Sequence, residues 1–190
     1  FTGDGCLMEG ISHEACSLAG TLGLGKLIVL YDDNNISIDG EVDGWFTEDI
    51  PSRFKSYGWE VFSDIDGHDS GAVSEAIKSA KRNLEQPSLI CCKTLIGKGS
   101  PNKEGTASTH GSALGDEEIA EMRKVLNWTN EPFDIPQEVY EEWDAKNQGT
   151  LKEEEWNKLI EDYSVENSEQ YEELKRVITG ELPEGIEDAI

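Results

Sequence analysis

The sequence predicts an α/β fold, in which a parallel sheet with flanking helices is followed by a helical C-terminal arm. Short apolar runs with the length of buried strands alternate with amphipathic segments in the first half of the chain. Polar residues and glycines follow the ends of these runs, where parallel α/β sheets bind their ligands. The second half is acidic, and its apolar residues recur at helical spacing.

The first elements follow from hydrophobic periodicity. Five apolar residues, at i, i+4, i+7, i+8 and i+11, fall on one face of a predicted helix: Ile11, Ala15, Leu18, Ala19 and Leu22. The continuous apolar run 27–31 then predicts a strand that is covered on both faces. A polar loop is expected over 32–46 and a short helix over 47–57.

The alternation then repeats. Residues 59–63 predict a strand, Asp69 is a suitable N-cap for a helix over 70–84, and 88–94 predict a further strand. Strands separated by helices form parallel sheets with right-handed crossovers, so the carboxyl ends of these strands should share one edge.

After the last predicted strand, the sequence first becomes loop-like and then becomes helical. A long loop over 95–115, rich in glycine, serine and threonine, precedes a helix over 116–126 that Asp116 is expected to cap. Two amphipathic helices follow Pro136. We therefore predict three regions: a partial cofactor-binding α/β domain over 1–130, a helical arm over 131–180, and the start of an interdomain linker over 181–190.

Charge and cysteine content exclude several classes of protein. Forty acidic and sixteen basic residues give a net charge of −24, which disfavours nucleic acids and anionic membranes as partners. The four cysteines form no disulfide framework, so we expect reduced thiols and a cytoplasmic location. Cys91 and Cys92 should point to opposite faces of a strand. There is no apolar run long enough for a membrane span. Because the chain starts at Phe1 and resembles an interior fragment, an upstream targeting sequence stays open.

Two segments near the N-terminus suggest a metal site. Asp4, between two glycines, offers a charged oxygen, and Asn34 after the next strand offers a neutral one. With the backbone carbonyl of Ile36, these oxygens suit Mg²⁺, which commonly shares its coordination with ligand phosphates. Gly5 would let a phosphate approach the backbone closely. On the residues alone, an ordinary turn at Gly-Asp-Gly is an equally good interpretation.

Longer motifs carry a resemblance to a known family. GDGCLMEGISHEACSLAGTLGLGKLIVLYDDNN resembles the thiamine-diphosphate motif, and several further segments resemble transketolase across essentially the whole chain: NNISIDGEVDGWFTED, YGWEV, DIDGHD, CKTLIGKGSPNKEGTASTHGSALGD and EVYEEWDAK. The resemblance implies the thiamine-diphosphate-binding fold, here incomplete. It also implies thiamine diphosphate and Mg²⁺ as cofactors, with Ca²⁺ or Mn²⁺ as alternatives.

The resemblance also implies roles for individual residues. Asp4, Asn34 and the Ile36 carbonyl would ligate the metal. Seven residues would contact the cofactor: Asp4, Gly5, Glu9, Asn34, Lys93, Ile96 and His110. Of these, His110 would also face the substrate and act in catalysis. Glu9 and Glu14 correspond to acidic residues at the family's dimer interface, close to the cofactor.

The implied reaction is transfer of a two-carbon ketol (glycolaldehyde) unit from a ketose phosphate to an aldose phosphate in the pentose phosphate pathway, by a homodimer. The glutamate that activates the cofactor's pyrimidine ring comes, in the family, from a domain that this chain lacks. The isolated chain is therefore expected to be inactive.

Other functions stay open at this point. Dihydroxyacetone synthase, phosphoketolase and the deoxyxylulose-phosphate synthase type use the same cofactor. A non-catalytic metal- or nucleotide-binding α/β module, or one subunit of a split enzyme, would share the metal site without the full reaction.

Overall fold

The computed structural model describes residues 1–186. It contains two compact units, Phe1–Thr129 and Asn130–Ile190. The linker predicted over 181–190 extends beyond the described residues, since 187–190 lie outside them. None of the helices described within 1–186 is long and apolar enough to cross a membrane.

The first unit is built around a four-stranded parallel sheet with the strand order β1-β2-β6-β5. The strands, including those of a separate antiparallel hairpin formed by β3 and β4, are β1 (Thr2–Gly3), β2 (Ile28–Asp33), β3 (Ile36–Ser37), β4 (Gly40–Glu41), β5 (Glu60–Asp66) and β6 (Ser88–Lys93). The helices of this unit are α1 (Asp4–Met8), α2 (Gly10–Thr21), α3 (Ile50–Ser56), α4 (Ser70–Ala80) and α5 (Asp116–Val125). The α/β fold with a parallel sheet is thus confirmed.

Adjacent side chains of β6 pack into two different hydrophobic cores. Cys91 belongs to a buried cluster that includes Phe54 of α3 and Trp59, whereas Cys92 belongs to a second cluster with Ala76 and Ala80 of α4. The prediction that the two cysteines point to opposite faces is therefore confirmed. Both faces of the central strand are covered, which explains why its sequence is continuously apolar.

Several predicted boundaries differ from the structure for local reasons. α3 begins at Ile50 rather than at 47, because the Asp49 carboxylate caps it by accepting the Ser52 N–H at 2.9 Å. α4 ends at Ala80 rather than at 84. The Asn83 side chain there accepts the N–H groups of Glu85 and Gln86, which forms a turn instead.

Two further expectations were wrong in part. The predicted loop 32–46 contains the end of β2 and the β3–β4 hairpin. Asp116 is not the cap of α5, because Gly115 occupies the N-cap position. Of the five apolar residues on the predicted face of α2, Ala19 alone is buried, whereas Ile11, Ala15, Leu18 and Leu22 are exposed.

The described residues of the second unit, 130–186, form three α-helices: α6 (Gln137–Trp143), α7 (Lys146–Glu166) and α8 (Ser168–Thr179). The sequence predicted the last two, and α6 was missed. α8 ends at Gly180, which has a left-handed backbone conformation with φ of 78°.

Candidate functional site

The strand ends bring Asp4 to the carboxyl edge of the sheet. β1 pairs with β2 so that Gly3 lies opposite Asp32, and Asp4 follows as the first residue of α1. The parallel register between β2 and β6 places Asp33 opposite Lys93 at the same edge. The side chains of Asp4, Asp33 and Lys93 line one pocket of about 190 Å³.

The Asp4 carboxylate is buried, and within the described residues only one of its two oxygens accepts a hydrogen bond. Its side chain is 3% exposed, and the Tyr31 hydroxyl donates a hydrogen bond to Oδ1. Oδ2 is buried and accepts no hydrogen bond within the described residues. Burial raises the pKa of Asp4, and the Tyr31 hydrogen bond opposes that increase. A cation at Oδ2 would supply the partner that this buried oxygen lacks.

The pocket is acidic overall. Five carboxylates and one amine line it: those of Asp4, Asp33, Glu48, Asp49 and Asp64, and that of Lys93. Such a surface repels an unaccompanied anion. It therefore suits a diphosphate only when the diphosphate arrives with a divalent cation.

Lys93 is held by an ion pair across the strand ends. Its Nζ lies 2.5 Å from Asp33 Oδ2, and its side chain is 60% exposed. The hydrogen bond to Asp33 raises the pKa of Lys93, so the amine is cationic at neutral pH.

Asn34 and Ile36 lie beside this pocket, at the entrance to the hairpin. The Asn34 Oδ1 accepts the Ile36 N–H at 2.9 Å, and its Nδ2 donates to Asp32 Oδ2 at 3.2 Å. These two contacts fix the orientation of the amide. The pocket is lined by Asn35 rather than by Asn34, and Asn35 has a left-handed backbone with φ of 62°.

Gly5 packs closely against the hairpin. A Cβ atom at Gly5 would lie 3.2 Å from Ser37 Oγ, tighter than ordinary van der Waals contact. Glycine therefore lets the start of α1 lie against β3. Glu9 lies between α1 and α2 at the α2 N-cap position, and both Glu9 and Glu14 are exposed.

The other predicted residues lie in the loop after β6. Ile96 lines a different pocket of about 490 Å³, together with His68 and Thr94. His110 is exposed and follows the 3₁₀ turn Ala107–Thr109, where its N–H donates to the Ala107 carbonyl at 3.0 Å. Within residues 1–186, His110 is not among the residues that line the Asp4 pocket.

Chemically, the arrangement offers oxygen ligands for a hard cation. No group of three or more His, Cys, Asp or Glu side chains in the described part of the chain is arranged to hold a metal ion. The predicted set contains one such side chain, Asp4, and completes its coordination with an amide, a carbonyl and the phosphates of the ligand.

The sequence reasoning missed Tyr31 and Asp33, the two residues that contact Asp4 and Lys93. The signal that could have found Tyr31 is its place at the end of an otherwise aliphatic strand, where a hydroxyl needs a partner. Asp33 follows from the strand register, which the sequence does not give.

Known relatives of this chain are transketolases. The family model described as "Transketolase, thiamine diphosphate binding domain" matches residues 1–183. The chain is 59% identical over 183 residues to transketolase 2 of Vibrio parahaemolyticus, covering 96% of this chain and 28% of the relative. It is 56% identical over 187 residues to the plasmid transketolase of Cupriavidus necator, covering 98% and 28%.

Solved structures agree with these relatives. A Pichia stipitis transketolase in complex with sedoheptulose 7-phosphate matches with a TM-score of 0.86 and 41% identity, covering 99% of this chain and 28% of that one. Transketolase from Leishmania mexicana matches with a TM-score of 0.89 and 35% identity, covering 96% and 28%. The chain thus spans just over a quarter of the length of its relatives. It belongs to the transketolase family, within the thiamine diphosphate-binding domain.

Proposed function

We propose that this chain supplies the metal and diphosphate portion of the thiamine diphosphate site of a transketolase. Asp4, Asn34 and the Ile36 carbonyl would hold Mg²⁺, for which Ca²⁺ or Mn²⁺ could substitute. The observation that carries the proposal is the buried Oδ2 of Asp4, which accepts no hydrogen bond from residues 1–186 and belongs to a residue that lines an acidic pocket.

Each neighbouring residue has a defined task in this proposal. Gly5 would offer its backbone N–H to the diphosphate at the start of α1, and Lys93 would offer it a positive charge. The other proposed cofactor contacts are Glu9, Ile96 and His110, of which His110 would also contact the sugar substrate and act in catalysis. Bound thiamine diphosphate would supply the carbanion chemistry of ketol transfer.

The proposed reaction is transfer of a two-carbon ketol unit from a ketose phosphate to an aldose phosphate in the pentose phosphate pathway. The P. stipitis relative binds a ketose phosphate, sedoheptulose 7-phosphate, which favours sugar phosphates as substrates. All of the relatives described above are transketolases, which favours this reaction over those of dihydroxyacetone synthase or phosphoketolase. The 190-residue chain alone is expected to have no ketol-transfer activity.

A second copy of the chain is the proposed partner, as in a homodimer. Three exposed apolar residues support this: Ile11 and Leu18 on α2, and Leu22 directly after it. They lie close to Glu9 and Glu14 in sequence, and the first unit does not cover them. Sedimentation equilibrium should show self-association that Leu18→Glu abolishes and that Leu84→Glu, at another exposed leucine, leaves unchanged. A monomer at all concentrations would contradict this part of the proposal.

The metal site is tested by thermal unfolding with Mg²⁺ and thiamine diphosphate, added separately and together. We expect the midpoint to rise only when both are present, because ligand binding stabilises the folded state. Asp4→Asn should remove the rise. Glu75→Gln, which neutralises an exposed carboxylate on α4, should keep it. No rise in the unmodified chain, or an equal rise in Asp4→Asn, would overturn the proposal.

A further inference from the structure

Glu118 is a buried carboxylate that the proposed metal and cofactor chemistry does not use. It lies in the first turn of α5 and is 8% exposed. Glutamate is almost never buried unless its charge is matched by partners. The partners of Glu118 therefore indicate what it holds in place.

The Glu118 carboxylate accepts hydrogen bonds from one short segment of the loop after β6. Oε1 of Glu118 accepts the Ser100 hydroxyl and the Asn102 N–H, the latter at 2.8 Å, and Oε2 accepts Asn102 Nδ2 at 2.9 Å. Ser100 itself is 1% exposed. These bonds, first that from Ser100, lower the pKa of Glu118 to about 2, so the carboxylate is ionised at neutral pH.

Two further hydrogen bonds close the segment that Glu118 holds into a turn. The Gly99 N–H donates to Glu104 Oε2 at 2.6 Å. The Gly105 N–H donates to the Ile96 carbonyl at 2.8 Å. Residues 96–105 thus form a compact turn whose base is anchored on α5.

Two contacts connect this turn to His110. Lys103 Nζ donates to the Leu114 carbonyl at 2.7 Å, which bridges the segment that contains His110. On its other side, Thr109 packs against Gly97, where an added Cβ atom would lie 2.7 Å from Thr109 Cγ2. The residue directly before His110 and a residue shortly after it are therefore both fixed to the turn that Glu118 anchors.

We propose that Glu118 is a positioning residue for His110, acting through Ser100, Asn102 and Lys103. An exposed loop loses conformational freedom when it is ordered, and a catalytic group works best when that ordering precedes substrate binding. A charged acceptor with three donors supplies the ordering without contacting substrate. The catalytic consequence rests on the function proposed above, whereas the ordering of the loop does not.

The hydrogen-bond pattern allows a reciprocal test. Glu118→Gln would place an amide N–H₂ against the Asn102 N–H₂, so that two donors face each other. Adding Asn102→Asp restores a donor–acceptor pair, because the new carboxylate can accept from the glutamine. Glu117→Gln is the matched control, since Glu117 is an exposed neighbour in the same helical turn.

The first measurement is amide hydrogen exchange in the 190-residue chain. In Glu118→Gln, we expect at least tenfold faster exchange of the amides bonded within the turn, those of Ser100, Glu104 and Gly105, and of the His110 amide in the segment fixed to it. Exchange in β6 should not change. The double variant should recover most of the protection, and Glu117→Gln should match the unmodified chain. Unchanged exchange in Glu118→Gln, equal acceleration throughout the chain, or no recovery in the double variant would each overturn the proposal.

The second measurement follows the His110 ring by NMR, which is practical because the chain has three histidines. Its ring signals should shift or broaden in Glu118→Gln and return in the double variant, and a purely structural role of Glu118 would leave them unmoved. If Glu118→Gln fails to fold, Asn102→Ala removes a smaller part of the network and must show the same local pattern. Loss of metal-dependent thiamine diphosphate binding in the unmodified chain would refute the proposed function but not the positioning role.

Discussion

The Tyr31 hydroxyl donates a hydrogen bond to Asp4 Oδ1, while Oδ2 of the same carboxylate is buried and has no hydrogen-bond partner in the described part of the chain. Burial first, and then the Asp4 hydrogen bond and charge, raise the pKa of Tyr31, so its hydroxyl stays protonated and acts as the donor. One oxygen of Asp4 is thereby oriented by the protein, and the other remains open to a cation.

Tyr31→Phe should weaken metal-dependent binding of thiamine diphosphate. Residues that orient a metal ligand typically contribute about 10- to 100-fold in metal affinity. The variant should also unfold more easily, by about 1–3 kcal/mol, because a buried carboxylate loses its donor. Calorimetry and chemical denaturation measure the two effects. Tyr57→Phe, which removes a hydroxyl that contacts His13, is the control and should keep the affinity. Equal affinities for Tyr31→Phe and the unmodified chain would contradict this role.

The variant Lys93→Met tests whether the lysine charge contributes to cofactor binding rather than to the stability of the fold. In the ion pair between Lys93 and Asp33, the lysine side chain is 60% exposed and the aspartate side chain is 19% exposed. Because the ammonium group is largely in solvent, such a pair contributes about 1 kcal/mol or less to folding. We therefore expect little change in the unfolding free energy but about a tenfold loss of affinity for thiamine diphosphate with Mg²⁺, equivalent to about 1.4 kcal/mol.

The control for this experiment is Lys78→Met, which removes a lysine of similar exposure that pairs with Glu75 on α4. It should bind as tightly as the unmodified chain. If both lysine variants lose affinity equally, the effect is one of net charge, and Lys93 has no specific contact with the diphosphate.

Two glycines of α2 should respond oppositely to the same substitution. A Cβ at Gly20 would lie 1.8 Å from the Tyr57 carbonyl oxygen, whereas one at Gly10 would meet nothing within 4 Å. Gly20→Ala should therefore destabilise the fold by about 1–3 kcal/mol or more. Gly10→Ala should be neutral or stabilising by up to about 1 kcal/mol. Urea unfolding decides between these outcomes, and equal stabilities would show that α2 does not depend on the close approach to Tyr57.

The contribution of Glu118 should depend on pH. Hydrogen bonds from Ser100 and Asn102 lower the pKa of Glu118 from 4.5 to about 2 in the folded state. The resulting stability is complete above pH 4.5 and is lost as the pH falls towards 2. The difference in melting temperature between the unmodified chain and Glu118→Gln should shrink over that interval, whereas the difference for Glu117→Gln should show no such trend. A constant difference for Glu118→Gln would contradict the lowered pKa.

The sequence was sufficient to predict the sheet of the first unit and the packing of helices on both of its faces. Continuous apolar runs identified β2 and β6, because strands covered on both faces have no polar side to alternate. The side-chain period of two then assigned Cys91 and Cys92 to opposite cores, as the structure confirms. Asp69 was recognised as a cap from its position alone, and it accepts the Gly71 N–H at 2.8 Å.

Features that depend on tertiary contacts were not predictable in the same way. β1 has two residues, too few to show a period, so the position of Tyr31 beside Asp4 could not be derived. Periodicity identified α2 but not which face is buried, since Ala19 and Gly20 lie against the core and Leu18 does not. The partners of Glu118 lie 16 and 18 residues away in an irregular loop, where no spacing rule applies.

The two cores on either side of β6 also determine where the charges at its end can lie. If the register of β6 shifted by one residue, Cys91 and Cys92 would exchange cores, and every side chain of the strand would point to the opposite face of the sheet. Such an arrangement is excluded by the packing of Leu89 and Ile90, both fully enclosed. The buried apolar residues of β6 therefore fix its register against β2, and this register places Lys93 opposite Asp33 at the end of the strand.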